Sequence, residues 1–333
     1  MRRALAAAGI AGVLAAAGCA ASTPIPGTGA KPPPVVRLGY VPALTQAVAI
    51  TAIQQHLFSR ELGPKVTLKV VAFSTDQAEA SALAAGKLDA AYASTAAILA
   101  AITAAPGSLR LIAGAATGGA ELVVASAITS PGKLSGHVLA TTATTGPQAT
   151  ALRSWLTARH LAGPRHGQGP VTIRPLAPAA AVAAFRAGRI AGAWALAPAD
   201  VEMTDAGGHV LYTQASAGPG AEPPATGLVV TTSFLDHHTA AVTALLKAHA
   251  IATGLLHGSL LQVIPALSRV LQASGIPLSS GVLAASLSQI TFTDSPGVAS
   301  LLPGTESTQY AALYDLAPLN LVLQALGQQP VTP

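Results

Sequence analysis

The sequence predicts an α/β protein of two lobes, each a mostly parallel sheet flanked by helices. Three observations predict it. From Val35 onward, short β-branched runs alternate with alanine-rich stretches of helical period. The segments "AAGKLDAAYAS" from Ala84 and "RAGRIAGAWAL" from Arg186 repeat one pattern, with Gly86 against Gly188 and Tyr92 against Trp194, both 102 residues apart. A late strand, "GLVVTTSFL" from Gly227, would return the chain to the first lobe. The expected boundaries are 35–125 with 227–333 for the first lobe and 126–226 for the second. Two lobes joined by two crossings form a hinge, with a ligand cleft between them.

The elements follow in order. "VVRLGY" (35–40) reads as a strand, and "TQAVAITAIQQHLFSRELG" (45–63) as one helix. Its face is Ala47, Ile50, Ile53 and Leu57, and Gly63 stops it. "VTLKVVAF" (66–73) alternates and is β-branched, hence a strand. Asp76 is placed to cap the next helix, with Glu79 three residues on as in a capping box. Gly86 ends that helix and "LDAAYA" is the third strand. Pro147 suits the first turn of the helix "ATALRSWLTARH". Beyond Leu255 the helices "LLQVIPALSRVLQAS" and "YAALYDLAPLNLVLQALG" are expected to pack on the first lobe.

The N-terminus has a different character. Met1-Arg2-Arg3 is basic, Ala4 to Ala17 is small and apolar, and Cys19, the only cysteine, follows. The apolar run is shorter than the ~20 residues a spanning helix needs. A basic start, an apolar run and small residues before a cut describe a secretory signal peptide, here residues 1–18. "AAGC" (16–19) resembles the lipobox of bacterial lipoproteins, with Ala16 where Leu is usual. Cys19 is therefore the expected lipidation site, carrying palmitate-type acyl chains that would hold the protein to the outside of the cell membrane. Residues 19–34, rich in Pro, Gly, Ser and Thr, read as a flexible tether.

Composition narrows the function. Without a second cysteine the chain has no internal disulfide, thiolate nucleophile or cysteine metal site. Charged residues are 9% of the chain and the net charge is +5, falling to +3 without Arg2 and Arg3. That is too small and too scattered for nucleic-acid binding. The apolar stretch 240–261 carries Lys247, His249 and His257, which argues against a membrane span. Ser130-Pro131-Gly132-Lys133 matches Ser-x-x-Lys, but its Pro-Gly favours a turn, and Ser-Asp-Asn and Lys-Thr-Gly are absent. His237 and His238 are helix neighbours on different faces. His160 and His166 flank a solvated loop. No phosphate loop, zinc motif or nucleophile elbow occurs, so no enzyme, cofactor or metal is expected.

Five segments then come in a recognisable order: "RLGYVPALTQAVAI", "LKVVAFSTDQAEASALAAGKLDAAYAS", "LRLIAGAATGGAELVV", "ALRSWL" and "AFRAGRIAGAWALAP". Together they resemble the substrate-binding proteins of ABC importers for aliphatic sulfonates, taurine and nitrate, a group related to thiamine-precursor binding proteins. The resemblance covers about Val35 to Leu256. It implies a periplasmic-binding-protein-like fold of type II, two crossover strands as hinge, a monomer, and delivery of a small anion to an ABC permease and its ATPase.

Ligands of open α/β sheets sit beyond the carboxyl ends of the strands. Five turns there carry the candidate ligand residues: Tyr40, Thr45 and Gln46; Ser74; Ser94 and Thr95; Thr117 and Gly118; Thr145 and Gln148. Most lie at helix starts, where free N–H groups favour an anion. None is Lys or Arg, so N–H and O–H donors would hold it. Plain capping explains each turn taken singly; five on one rim point to a site. Trp194, like Tyr92, is either a core aromatic or a wall of the cleft. Against the family pattern, Gln46 replaces a His, Ala149 an acid, and Ala197-Pro198-Ala199 a Glu-Pro-aromatic. An alternative is therefore a non-transporting surface receptor with a degenerate cleft.

Overall fold

A computed structural model of the chain describes residues 34–118, 120–142, 144, 147–163, 169–213, 224–296 and 313–332. Two sheets organise them. The first has the order β11-β4-β10-β3-β1-β2 and the second β7-β6-β8-β5-β9. Their strands are β1 (Val35–Tyr40), β2 (Thr67–Ala72), β3 (Ala90–Ser94), β4 (Leu109–Gly118), β5 (Ala120–Ala125), β6 (Val138–Thr141), β7 (Thr172–Pro175), β8 (Gly192–Leu196), β9 (Gly208–Thr213), β10 (Pro224–Thr231) and β11 (Ile290–Phe292). In the first sheet β1 pairs in parallel with β2 and β3, and β10 runs antiparallel between β3 and β4. The second sheet repeats this: β6 pairs in parallel with β7 and β8, and β5 runs antiparallel between β8 and β9. In each sheet the strand that arrives from the other lobe, β10 or β5, runs antiparallel to both its neighbours.

The repeat in sequence is a repeat in structure. Helices α3 (Asp76–Ala84) and α6 (Pro178–Arg186) precede β3 and β8 at the same spacing. Each ends in a Schellman turn. Gly86 N–H donates to Leu83 O and Lys87 N–H to Ala82 O; Gly188 N–H donates to Phe185 O and Arg189 N–H to Ala184 O. Both glycines have positive φ, 67° and 64°, where a Cβ would be strained. The basic residue after each glycine supplies the second N–H of the turn.

Both faces of both sheets are covered. One face of the first sheet, with Leu38, Tyr92, Ile112 and Leu228, packs on helices α1 (Ala47–Gln54), α2 (Leu57–Leu62), α9 (Thr239–Gly258), α10 (Leu260–Ala273) and α12 (Ala317–Ala325). Its other face packs Ala91 and Val229 against Leu83 of α3 and Ile98 and Ile102 of α4 (Thr95–Ala104). In the second sheet Leu122 and Trp194 meet α5 (Pro147–Thr157), and Val123, Ala193 and Ala195 meet α6 and α7 (Ala199–Asp205). Helix α9 is long and apolar enough to cross a membrane. It packs instead on the first sheet through Val242, Leu245, Leu246 and Leu256, and its exposed Lys247 pairs with Glu61 at 2.9 Å.

Several expectations are corrected. The chain changes lobes between Gly118 and Ala120, not after residue 125, because Glu121 to Val124 pair with β8. It is back in the first sheet by Pro224, before Gly227, and β10 ends at Thr231, where helix α8 (Thr232–His237) takes over. The helix expected over 45–63 is broken: a 3₁₀ turn spans Leu44–Gln46, and His56 at φ 55° separates α1 from α2. Thr75, not Asp76, caps α3, accepting from Ala78 N–H at 3.2 Å. That leaves Glu79 in the first turn but one place beyond the capping-box position, fully buried and forming no capping box. Ser130–Lys133 opens a short 3₁₀ turn, Pro131–Leu134. The signal peptide, Cys19, most of the tether, Thr145 and His166 lie outside the described residues.

Candidate functional site

A cavity of about 210 Å³ lies between the lobes, at the carboxyl ends of β1, β6, β7 and β8. The first lobe contributes Ala43, Leu44 and Thr45, from the turn after β1. The second contributes Ala140 to Thr142 after β6, Leu176 after β7, Pro178 and Ala181 of α6, and Ala193 to Ala199 running from β8 into α7. This is where open α/β sheets place their ligands.

The turn after β1 is held from behind. Gln46, 1% exposed, accepts from Val41 N–H at 2.7 Å through Oε1 and donates to Asp76 Oδ1 at 3.3 Å through Nε2. Thr226 of β10 donates to Thr45 O at 2.6 Å, tying the turn to the returning strand. Across the cavity, Thr142 Oγ1 donates to Gln148 Oε1 at 2.9 Å. Gln46 and Gln148, expected as ligand contacts, therefore act as supports that position wall residues.

Of the expected ligand residues that are described, the structure brings Thr45 and Trp194 to this wall. Trp194 is 2% exposed, and its ring lies 5.9 Å from that of Tyr212. Its matching residue Tyr92 is a core aromatic, bonded to His249 through its hydroxyl at 2.7 Å. Tyr40 is half-buried and sits in the β1 ladder, away from the wall. Ser74 is exposed and also off the wall. Ser94 caps α4, accepting from Ala97 N–H at 3.4 Å, and donates to Asp76 through its N–H and hydroxyl. Thr95 begins that helix and is 5% exposed. Thr117 and Gly118 pair with Thr291 and Ile290 of β11. The anion-type turns at 74–76 and 94–95 are thus capping turns.

Sequence reading missed the alanine and leucine wall. Of the five turns it chose, those after β1 and β6 reach the cavity; the segment after β8 was noted only for its departure from the family pattern. It searched them for polar side chains, whereas the departure at Ala197-Pro198-Ala199 was the signal: those residues line the cavity.

No Lys, Arg, His, Asp or Glu lines the cavity among the described residues. Carboxyls stand behind it. Asp200, fully buried at the start of α7, is pushed up to about 7 by burial and by Glu121's charge, against the pull of Val201 N–H. Its Oδ1 accepts that N–H at 2.6 Å. Burial also raises Glu121. On the first-lobe side burial raises Asp76, and Ser94 and Gln46 offset this only in part.

Two α/β lobes, each with one strand supplied by the other's crossing, and a cavity at the facing strand ends define the periplasmic-binding-protein fold. Within it the chain belongs to the NMT1-like family, whose model matches residues 29–259. No curated protein matches the chain. Solved structures share the fold. The alkanesulfonate-binding protein SsuA from Xanthomonas axonopodis pv. citri, bound to MOPS, is 22% identical over 79% of this chain and 87% of its own, with TM-score 0.59. The periplasmic aliphatic sulphonate binding protein SsuA from Escherichia coli is 17% identical over 89% and 87%, at 0.64. The periplasmic nitrate-binding protein NrtA from Synechocystis PCC 6803 is 13% identical over 88% and 89%, at 0.65.

Proposed function

We propose that this protein is the extracytoplasmic solute-binding lipoprotein of an ABC importer. It captures a small molecule between its lobes and delivers it to a membrane permease driven by an ATPase. The observation that carries this reading is the cavity at the facing strand ends of two lobes. The sulfonate- and nitrate-binding proteins of the same fold support it. The reading needs no catalysis, cofactor or metal, and a monomer suffices.

The sequence resemblance implies a sulfonate-, taurine- or nitrate-like anion. On this wall the hydroxyls are those of Thr45, Thr141 and Thr142, the last already donating to Gln148. A thermal-shift screen of the purified protein tests the reading with sulfonates, taurine, nitrate, bicarbonate, pyrimidines and flavin-like aromatics. A ligand at 100 times its Kd adds ~2.7 kcal/mol, which raises the midpoint of a 300-residue protein by about 4 °C. No shift from any of them at millimolar concentration, with no two-lobed scattering profile, would refute a solute-binding role.

The same reading places Cys19 at the membrane. Cys19→Ala is expected to abolish both palmitate labelling and membrane retention; retention unchanged in the variant would remove the lipid anchor. A second reading, a surface receptor that does not import, draws on Ala197 to Ala199 standing where the family has polar and aromatic side chains. A permease and an ATPase encoded beside this gene would count against it.

A further inference from the structure

We infer, resting on the solute-binding reading, that the ligand is an uncharged organic molecule. Its apolar body is the size of a substituted ring or two fused rings. An apolar cavity of ~150 Å³ accommodates benzene, so about 210 Å³ leaves room for substituents or a second ring.

The wall sets the chemistry. Ala140, Ala193 and Ala195 line it together with Leu44, Leu176 and Leu196. A bare anion entering here would lose water and meet no cationic side chain, only a few hydroxyl and backbone N–H donors, against a large desolvation cost. Of the helix starts near the cavity, that at residues 43–46 has no side-chain cap, and others already spend an N–H on a cap. Thr75 caps α3, Ser94 caps α4, and Asp200 takes the Val201 N–H of α7. Helix α6 begins on Pro178, which has no N–H to offer. Asp200, fully buried, directly follows the lining residue Ala199, so the group behind this wall is an acid rather than a base. A cation fares no better at the wall, which carries no acid among the described residues. An apolar ring loses little on leaving water and gains contact with every wall.

The experiment compares ligands of one body and different charge on the intact protein: benzyl alcohol, benzamide, benzenesulfonate and benzylamine, with taurine and nitrate alongside. Titration calorimetry is expected to show the two neutral rings binding at least tenfold tighter than the sulfonate or the amine, and no heat from taurine or nitrate. Ala43→Phe places a phenyl group at a half-exposed wall position. It is expected to weaken the neutral rings at least tenfold while leaving the ligand-free thermal midpoint in place; Ala43→Leu serves if the phenyl variant folds poorly. Tightest binding by benzenesulfonate, taurine or nitrate, lost in the Ala43 variants, overturns the inference and leaves solute binding standing. A charged solute from the wider screen as sole binder does the same. Binding by nothing in either set overturns both.

Discussion

His249→Ala is expected to lower the thermal midpoint by about 5–8 °C, the equivalent of about 3–5 kcal/mol for breaking a buried charged pair in a chain of this length. His249 is fully buried on α9, in the core of the first lobe. Its Nδ1 shares a hydrogen bond with the Tyr92 hydroxyl of β3 at 2.7 Å. Its Nε2 stands 3.0 Å from Asp294 Oδ1, an ion-pair contact set off the ring N–H axis. One imidazole thus joins the central strand, the long core helix and the segment after β11. Burial alone would push Asp294 up; the adjoining His249, with Thr253 and His257, outweighs it and holds the carboxyl below its ordinary range. Alanine would leave that carboxylate and the tyrosine hydroxyl buried without their partner. Asp294→Asn keeps the size and removes the charge, so its loss should be less than half as large. Because Asp294 is depressed in the folded state, its contribution is present above the unfolded carboxyl pKa, ~3.9, and is lost as pH falls through the lower folded value. Equal midpoints for His249→Ala and wild type at pH 7 would show that the network contributes nothing.

Glu79→Gln is expected to act in the opposite direction and to depend on pH. Glu79 packs over β1 at Gly39, where a Cβ would run into Leu88 and Glu79 itself. Neither of its oxygens makes a well-formed hydrogen bond. Burial, with Asp76's charge next, pushes it up to about 9; Gln46 and the Tyr92 N–H offset only part of this. Between its ordinary value of 4.5 and about 9 the unfolded chain has released this proton and the folded protein has kept it. Stability therefore falls as pH rises, by up to about 1.4 kcal/mol per unit. Glutamine has the shape of the neutral acid and no proton to lose. The two proteins should melt together near pH 5, and the variant should melt about 5 °C higher at pH 8. Parallel melting curves from pH 5 to 8 would mean that Glu79 is ionised in the fold.

Much of the architecture was legible because local rules and global topology agree. Gly63, Gly86 and Gly188 end helices at positive φ, where glycine is free of the Cβ penalty. The 102-residue repeat is the same βαβ unit built twice. The changeover at Gly118 was hidden because a turn there does not say which sheet the next strand joins, and a crossing strand has the composition of a core strand. His56 breaks a helix whose apolar period continues through it, so periodicity gave no warning. At the site two of the five chosen turns reach the cavity, and the chemistry of its wall was not legible. Hydroxyls after strands serve caps as readily as ligands, and Ser94 serves the cap. Gln46 and Gln148 look like contacts in sequence, yet they brace the turns that form the wall. Alanines, the commonest residues here, carry no signal of their own until the fold sets them around one space.

The measurement that bears most directly on a solute site between the lobes is amide hydrogen exchange, with and without the strongest binder from the screens. Binding is expected to slow exchange at residues 43–45, 140–142 and 193–199 together, because the ligand touches both lobes at once. Protection confined to one lobe, or lying away from these turns, would contradict the account.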